Sequence, residues 1–313
     1  MDGNHHYDEL MRQVKVVKDR VRAVIHGHSN GLYLHGRPGT SKTYMVRSTL
    51  DTLAVNYMPH SGHLTPIGLF DLLGENRDRI IVLDDVSAIF NQPIALQLLL
   101  AALGNPHDGS GVRHVKHKTA SGTRVVPFSG GVICMSNLPL DGHHHEVLAA
   151  LRDRINVINF EPSDEQIIAL IRKLAEDGVG GVPPDKAKMV AAFLTAECKA
   201  RGIRPSVRLF VDKALRDYKL WASENCETHW RDLVVSDLEQ QLVELQHEVR
   251  DLTRAEQTEA EQRVALDVYL TFEPRVERVQ AWTARTGKSQ AAFYRRIAEL
   301  KKARRLPGAS CAE

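Results

Sequence analysis

Eight consecutive residues, Gly36-Arg37-Pro38-Gly39-Thr40-Ser41-Lys42-Thr43, carry glycines, an ammonium and a hydroxyl in the order that phosphate binding requires. They follow a short β-rich run and open a helical period. Converging backbone amides and the helix N-terminus then favour a β-phosphate, Lys42 reaches the β and γ oxygens, and the Thr43 hydroxyl binds Mg²⁺. ATP and Mg²⁺ are the cofactors expected of such a loop. Ser41 departs from the usual GxxxxGK spacing, which has glycine there, and it adds a Cβ where backbone and phosphate approach closely.

Downstream, Ile80-Ile81-Val82-Leu83-Asp84-Asp85 is an apolar strand that ends in two acids. Asp84 would hold Mg²⁺ directly or through water, and Asp85 would polarise the water that attacks the γ-phosphoryl group. The alternative is that Asp85 caps the following turn. No competing hydrolytic triad stands out, and His143-His144-His145 cannot all face one metal from a regular element. The four cysteines, Cys134, Cys198, Cys226 and Cys311, lie far apart, so neither a zinc site nor a disulfide framework is expected.

These groups need a scaffold, and the sequence provides one. Leu10, Val14, Val17, Val21 and Val24 recur at steps of three and four, which predicts a leading helix. Apolar β-rich runs at residues 31–35, 52–57, 80–83, 131–135 and 155–160 alternate with helical segments at 42–50, 66–73, 93–103 and 145–151. That alternation predicts a five-stranded, mostly parallel α/β sheet covered by helices. Three helical periods follow at residues 163–176, 185–201 and 206–221, the first opened by a Ser163/Gln166 capping box, and they predict a small all-helical domain.

The order of motifs resembles the AAA+ ATPase family over residues 7–221. Residues 31–43 look like its Walker A region and residues 80–85 its Walker B. Val132-Ile133-Cys134-Met135-Ser136-Asn137 resembles the sensor 1 strand, whose terminal polar residue, here Asn137, lies between the two Walker motifs and orients the water. Leu151-Arg152-Asp153-Arg154 resembles the segment carrying the arginine finger, with Arg154 the first choice and Arg152 its rival. Pro205-Ser206-Val207-Arg208 resembles the start of the sensor 2 helix, which would place Arg208 on the γ-phosphate, with Arg204 as a substitute. The resemblance implies a homo-oligomer, a hexameric ring or spiral, that hydrolyses ATP at subunit interfaces.

Between the Walker B strand and sensor 1, residues 112–118 and 123–128 read as a hairpin with Arg113, Lys116, Lys118 and Arg124 and no acid. It resembles the hairpin inserted before sensor 1 in an AAA+ branch that includes DNA helicases. The net charge of +2 hides a strong polarity, because residues 224–262 hold eleven acids against three bases while residues 274–306 hold ten bases against two acids. The acidic stretch reads as a helical connector and a possible partner-binding segment. The basic tail has helix-turn-helix spacing, with Lys288, Arg295 and Arg296 available to nucleic acid.

The expected domains are residues 1–161 (nucleotide-binding), 162–222 (helical lid), 223–270 (connector) and 271–313 (basic helix-turn-helix-like). With no run long and apolar enough for a membrane span, a cytoplasmic location without membrane partners is expected. The expected function is a Mg²⁺-dependent ATPase acting on DNA in replication, transposition or mobile-element biology. An ATP-gated DNA-binding switch and a protein remodeller are the alternatives. The hairpin turn offers no aromatic to grip polypeptide, which weighs against the remodeller.

Overall fold

The computed structural model describes residues 2–105, 110–119, 122–140, 145–250, 254–302 and 306. The chain forms two compact units, Met1–Pro162 and Ser163–Glu313. In the first, α1 (Asp2–Ile25) leads into β1 (Gly31–His35), α2 (Lys42–Thr52), β2 (Tyr57–Ser61), α3 (Pro66–Glu75) and β3 (Ile80–Asp84). A 3₁₀ turn (Ser87–Asn91) and α4 (Pro93–Ala102) then precede the hairpin β4 (Arg113–Thr119) and β5 (Gly122–Phe128). β6 (Val132–Ser136), α5 (His145–Arg152) and β7 (Asn156–Asn159) complete the unit.

The five strands β2-β3-β6-β1-β7 form one sheet in that spatial order, and every pairing is parallel. Parallel pairs need crossovers, and crossovers put helices on the sheet faces, so the central strands are buried on both sides. Tyr33, Ile81, Leu83, Val132 and Cys134 face a core shared with α3, α4 and the hairpin. The alternate residues Leu32, Leu34, Val82, Ile133 and Met135 are buried too, and α1 and α2 add Leu10, Val17, Val21, Val46 and Leu50. Each such side chain withdrawn from water contributes about 1.5–3 kcal/mol.

One strand differs from its expected place. Residues 52–57 read as β2, yet α2 continues to Thr52, whose hydroxyl bonds back to Ser48 O (2.6 Å), and the strand begins at Tyr57. β2 is an edge strand and half exposed, so it tolerates Pro59 and lacks the apolar signature of its neighbours.

The second unit is all helical among the described residues. α6 (Asp164–Asp177) begins with the expected capping box, in which Gln166 N donates to Ser163 Oγ (3.2 Å) and Ser163 N donates to Gln166 Oε1 (2.9 Å). α7 (Pro184–Arg201) ends on Gly202 at φ 64°. A six-residue π-helical segment, Leu209–Ala214, then runs directly into α8 (Leu215–Ala222). Next come α9 (Trp230–Arg250), α10 (Arg254–Thr271), α11 (Arg275–Thr286) and α12 (Gln290–Lys302).

The acidic stretch is not a free connector, and no packing boundary falls at residue 270. Trp230, Val234 and Leu238 of α9 are buried with α6, α7 and α8, whereas Ala265 and Val268 of α10 are buried with Trp282, Phe293, Ile297 and Leu300. The basic tail is therefore the outer part of a three-helix module, α10–α11–α12. Residues 303–305 and 307–313, which close the expected tail domain, lie outside the described residues, as do His143, His144 and positions 120–121 of the expected hairpin turn.

In the helical unit, Asp217 has a buried Oδ2 without a hydrogen-bond partner among the described residues. Burial pushes its carboxyl up to about 6, and neighbouring Asp237 adds to the rise while Lys213 opposes it. A raised acid is stable when protonated, so this group destabilises the fold increasingly as pH rises from the ordinary carboxylate range through about 6. Asp217→Asn should stabilise the protein by about 1–2 kcal/mol at pH 8, after allowance for solvent screening, and by almost nothing at pH 4. Thermal melts at the two pH values measure this, and an equal gain at both would contradict it.

Candidate functional site

The site begins where β1 leaves the sheet. Gly36 takes φ 150°, and a Cβ there would lie 2.0 Å from the Phe160 carbonyl oxygen, so only glycine fits between β1 and the end of β7. Gly39 follows at φ 76° and Ser41 at φ 67°, after which α2 starts with Lys42. The left-handed conformation at Ser41 gives the physical reason for glycine in the usual motif, because a side chain there costs about 1 kcal/mol. Ser41→Gly should therefore stabilise the fold by about 1 kcal/mol. Equal or lower stability in a urea melt would contradict it.

Loop and helix together gather the chemistry. Lys42 is buried, and its Nζ donates to Gly36 O (2.6 Å), Arg37 O (2.7 Å) and Asn137 Oδ1 (3.1 Å). Thr43 Oγ1 donates to Asp84 Oδ1 (3.2 Å), and Asn137 Nδ2 donates to Asp85 Oδ1 (3.3 Å). Thr40 Oγ1 closes the loop onto Arg37 O (3.0 Å), and Glu161 Oε2 accepts from Arg37 N (2.9 Å). Pro38 completes the turn. Burial pushes the Asp84 carboxyl above the usual range, opposed by the Thr43 hydrogen bond, reinforced by Asp85, and opposed again by Arg47 and Lys42.

Arg47 was not anticipated from sequence. It lies one turn after Thr43 on α2, and its Nη2 stands 3.6 Å from Asp84 Oδ2, so one helix face grips both oxygens of that carboxylate. The i, i+4 spacing of Thr43 and Arg47 was the available signal.

These residues fit a magnesium nucleoside triphosphate. An ammonium that donates to two backbone carbonyls and an amide oxygen can exchange them for phosphate oxygens. A hydroxyl beside a single carboxylate suits Mg²⁺, which takes few protein ligands and shares the phosphates. In agreement, no cluster of three or more His, Cys, Asp or Glu capable of holding a metal occurs among the described residues.

Topology decides the type of core. β6 pairs with β1 on one side and β3 on the other, so Asn137, just beyond its end, emerges between the phosphate loop and the Asp84–Asp85 pair. The first unit is thus a five-stranded parallel α/β sheet of order β2-β3-β6-β1-β7, covered by helices. No protein-family model and no curated protein matches the sequence. Among solved structures, the chain is similar to domain III of the Thermotoga maritima replication initiation protein DnaA, with TM-score 0.45 and 15% identity over 71% of this chain and 90% of that one. It is also similar to a mutant of Thermotoga maritima RuvB (TM-score 0.46, 14% identity, 95% of this chain and 88% of that one). A third likeness is to the Aeropyrum pernix Orc1 protein in complex with DNA (TM-score 0.45, 15% identity, 97% and 79%).

The other expected residues of the AAA+ reading differ in their partners. Arg152 and Arg154 are both exposed; Arg154 Nη1 reaches Leu100 O at 3.5 Å, and the Arg152 guanidinium is held by Leu140 O. Arg208 is exposed at the start of the π-helical segment. Arg204 is committed elsewhere, to Asp164 (2.9 Å) and Asp267, and so is not free to act as a sensor.

The hairpin is less cationic at its surface than its sequence indicates. Arg113 is buried, bonding Phe128 O (3.2 Å), Asn30 Oδ1 (2.6 Å) and Gly130 O, and desolvation lowers its pKa; it is an anchor, not a nucleic-acid contact. Arg124 pairs with Asp71 (2.6 Å) over the Phe70 ring. Lys116 and Lys118 are exposed.

Two of the three tail candidates are likewise engaged. Glu261 of α10 is 1% exposed and accepts from Lys288 Nζ and from Arg296 Nε (2.7 Å). Burial alone would raise the Glu261 pKa, but those two cations reverse the effect and hold it below the usual range. Arg296 also binds Glu299 (2.8 Å). Arg295 is exposed.

Proposed function

We infer that this chain is a Mg²⁺-dependent ATPase that assembles with copies of itself, hydrolyses ATP at the interfaces between them and acts on DNA. The observation that carries the reading is the continuous chain of hydrogen bonds Lys42–Asn137–Asp85, which ties the phosphate-binding ammonium to the acid suited to polarise water. In this reading Lys42 and the loop amides bind the β and γ phosphates, and Thr43 and Asp84 hold Mg²⁺. Mg²⁺ held there would supply positive charge to neutralise the phosphate oxygens. Asp85 accepts hydrogen bonding from the attacking water, and Asn137 fixes the direction of that carboxylate. Arg154, free at the surface, serves the site of a neighbouring copy, and Arg208 contacts the γ-phosphate from the lid.

DNA enters through cations that the fold leaves exposed, Lys116 and Lys118 on the hairpin and Arg295 on the tail. Among the described residues no helix is long and apolar enough to cross a membrane. Calorimetry with ATP and saturating Mg²⁺, followed by phosphate release with and without DNA, tests the reading. Binding in the micromolar range and DNA-sensitive turnover are expected. Failure of folded protein to take up adenine nucleotide overturns it.

The left-handed backbone at Ser41 (φ 67°) and at Asp85 (φ 54°) favours a second reading, in which ATP sets the assembly state with little hydrolysis. Single-turnover experiments separate the two, since the switch releases almost no phosphate under any condition.

A further inference from the structure

The cations of the C-terminal module sort into two sets with different environments. Arg275 donates to Tyr294 Oη (2.8 Å), Arg278 to Phe272 O, and Arg285 to Gly202 O (2.9 Å) and Asp267 (2.5 Å); Lys288 and Arg296 converge on the buried Glu261. These five hold the module together. Arg295, Lys301 and Lys302 of α12 are exposed, and Arg295 helps to lower the Glu299 pKa after the hydrogen bonds from Gln262 and Arg296.

Their placement on α12 is ordered. Phe293, Ile297 and Leu300 face the core of the module, where Trp282 of α11 anchors the turn by donating from Nε1 to Ser289 O (3.1 Å). On the opposite side, Ala291, Arg295, Ala298 and Lys302 recur at steps of four, three and four, so they form one exposed row along the helix. That row alternates a methyl with a long cation and contains no acid. The neighbouring Glu299 is occupied by Arg296 and Gln262 (3.0 Å). Gln290 and Lys301, both exposed, flank the row.

Resting on the DNA clause of the function inferred above, we propose that the Ala291–Arg295–Ala298–Lys302 face of α12 enters the major groove of duplex DNA and reads sequence there, with Arg295 as the base-contacting residue. The partner follows from charge and shape. A row that carries two cations and no acid of its own fits a polyanion, and its two methyl groups let the helix backbone approach a groove wide enough for one helix. Arginine at such a position matches the paired acceptors O6 and N7 of guanine. Glu261 supports the reading helix. By drawing Lys288 from the turn and Arg296 from α12 into one buried contact, it fixes the rotation of α12 about its own axis, which sets which residues face outward.

The test uses the full chain, selection from random duplexes, and anisotropy titrations against the enriched and scrambled sequences. Wild type should prefer the enriched duplex by at least about a hundredfold. Arg295→Ala should lose roughly tenfold of that preference at one base pair, while salt-sensitive binding to scrambled DNA persists. Ala298→Leu alters no charge and suits a helix, and it should lose preference by blocking close approach; unchanged thermal melts exclude misfolding for both. Retention of full preference by both variants overturns the proposal, as does wild-type binding without sequence preference or a preference for single strands. If Lys116→Gln with Lys118→Gln abolishes DNA binding while the α12 variants do not, DNA action stands and this face is not its reader. Absence of any DNA binding would remove the DNA clause as well and leave nucleotide chemistry untouched.

Discussion

Arg154→Ala is expected to lower ATP turnover by about a thousandfold or more while leaving ATP affinity within about twofold, the pattern of an arginine that acts only on transition-state charge. Its guanidinium is exposed and loosely placed at 3.5 Å from a backbone carbonyl, whereas Arg152 is tied to Leu140 O within its own subunit. A residue serving a neighbour's site must be free in this sense. The decisive measurement is mixing. Lys42→Ala cannot hold phosphate but keeps Arg154, and Arg154→Ala keeps the phosphate loop, so combining two inactive proteins should restore turnover. No recovery on mixing, or full activity of Arg154→Ala alone, would refute the shared site, and loss in Arg152→Ala instead would transfer the role to that residue.

Gly36→Ala should be as severe by a different route. The new methyl would sit 2.0 Å from the Phe160 carbonyl oxygen, in a backbone conformation (φ 150°) that side chains rarely adopt. Neither partner can yield cheaply, because Phe160 N is bonded to His35 O (2.7 Å), which keeps the end of β7 against the end of β1. The clash must be relieved by moving the loop, and Lys42 is bonded to the very carbonyls that would move. A loss of about 3 kcal/mol or more in stability is expected. Nucleotide binding should disappear even where the protein still folds. Calorimetry and a urea melt measure both, and near-wild-type binding would show that the loop tolerates a wider path than its geometry indicates.

Much of this site was legible because phosphate chemistry demands particular residue types in a fixed order, and because central parallel strands are apolar on both faces. The glycines, Lys42, Thr43 and the two acids announce themselves for that reason. What sequence concealed was long-range pairing. Counting charges made the hairpin and tail look uniformly available, yet Arg113 is spent on Asn30 and backbone carbonyls, and Arg296 on a glutamate thirty-five residues away. Glu261 itself looked like one acid among eleven in a solvated stretch, since nothing local marks a carboxylate for burial. Arg47 escaped notice because its partner Asp84 arrives from another strand. β2 was misplaced because an edge strand bearing Pro59 needs little apolar surface.

The π-helical segment Leu209–Ala214 has a consequence for how the helical unit evolves. Such a widened turn arises from one surplus residue in an α-helix, and each residue advances the helix by about 100°. Excising a single position within this segment would restore an ordinary spiral and swing Arg208 about a quarter-turn relative to Leu215 and Tyr218, which stay seated in the core. The second unit would remain folded while Arg208 pointed somewhere new. A one-codon deletion is thus enough to redirect this side chain.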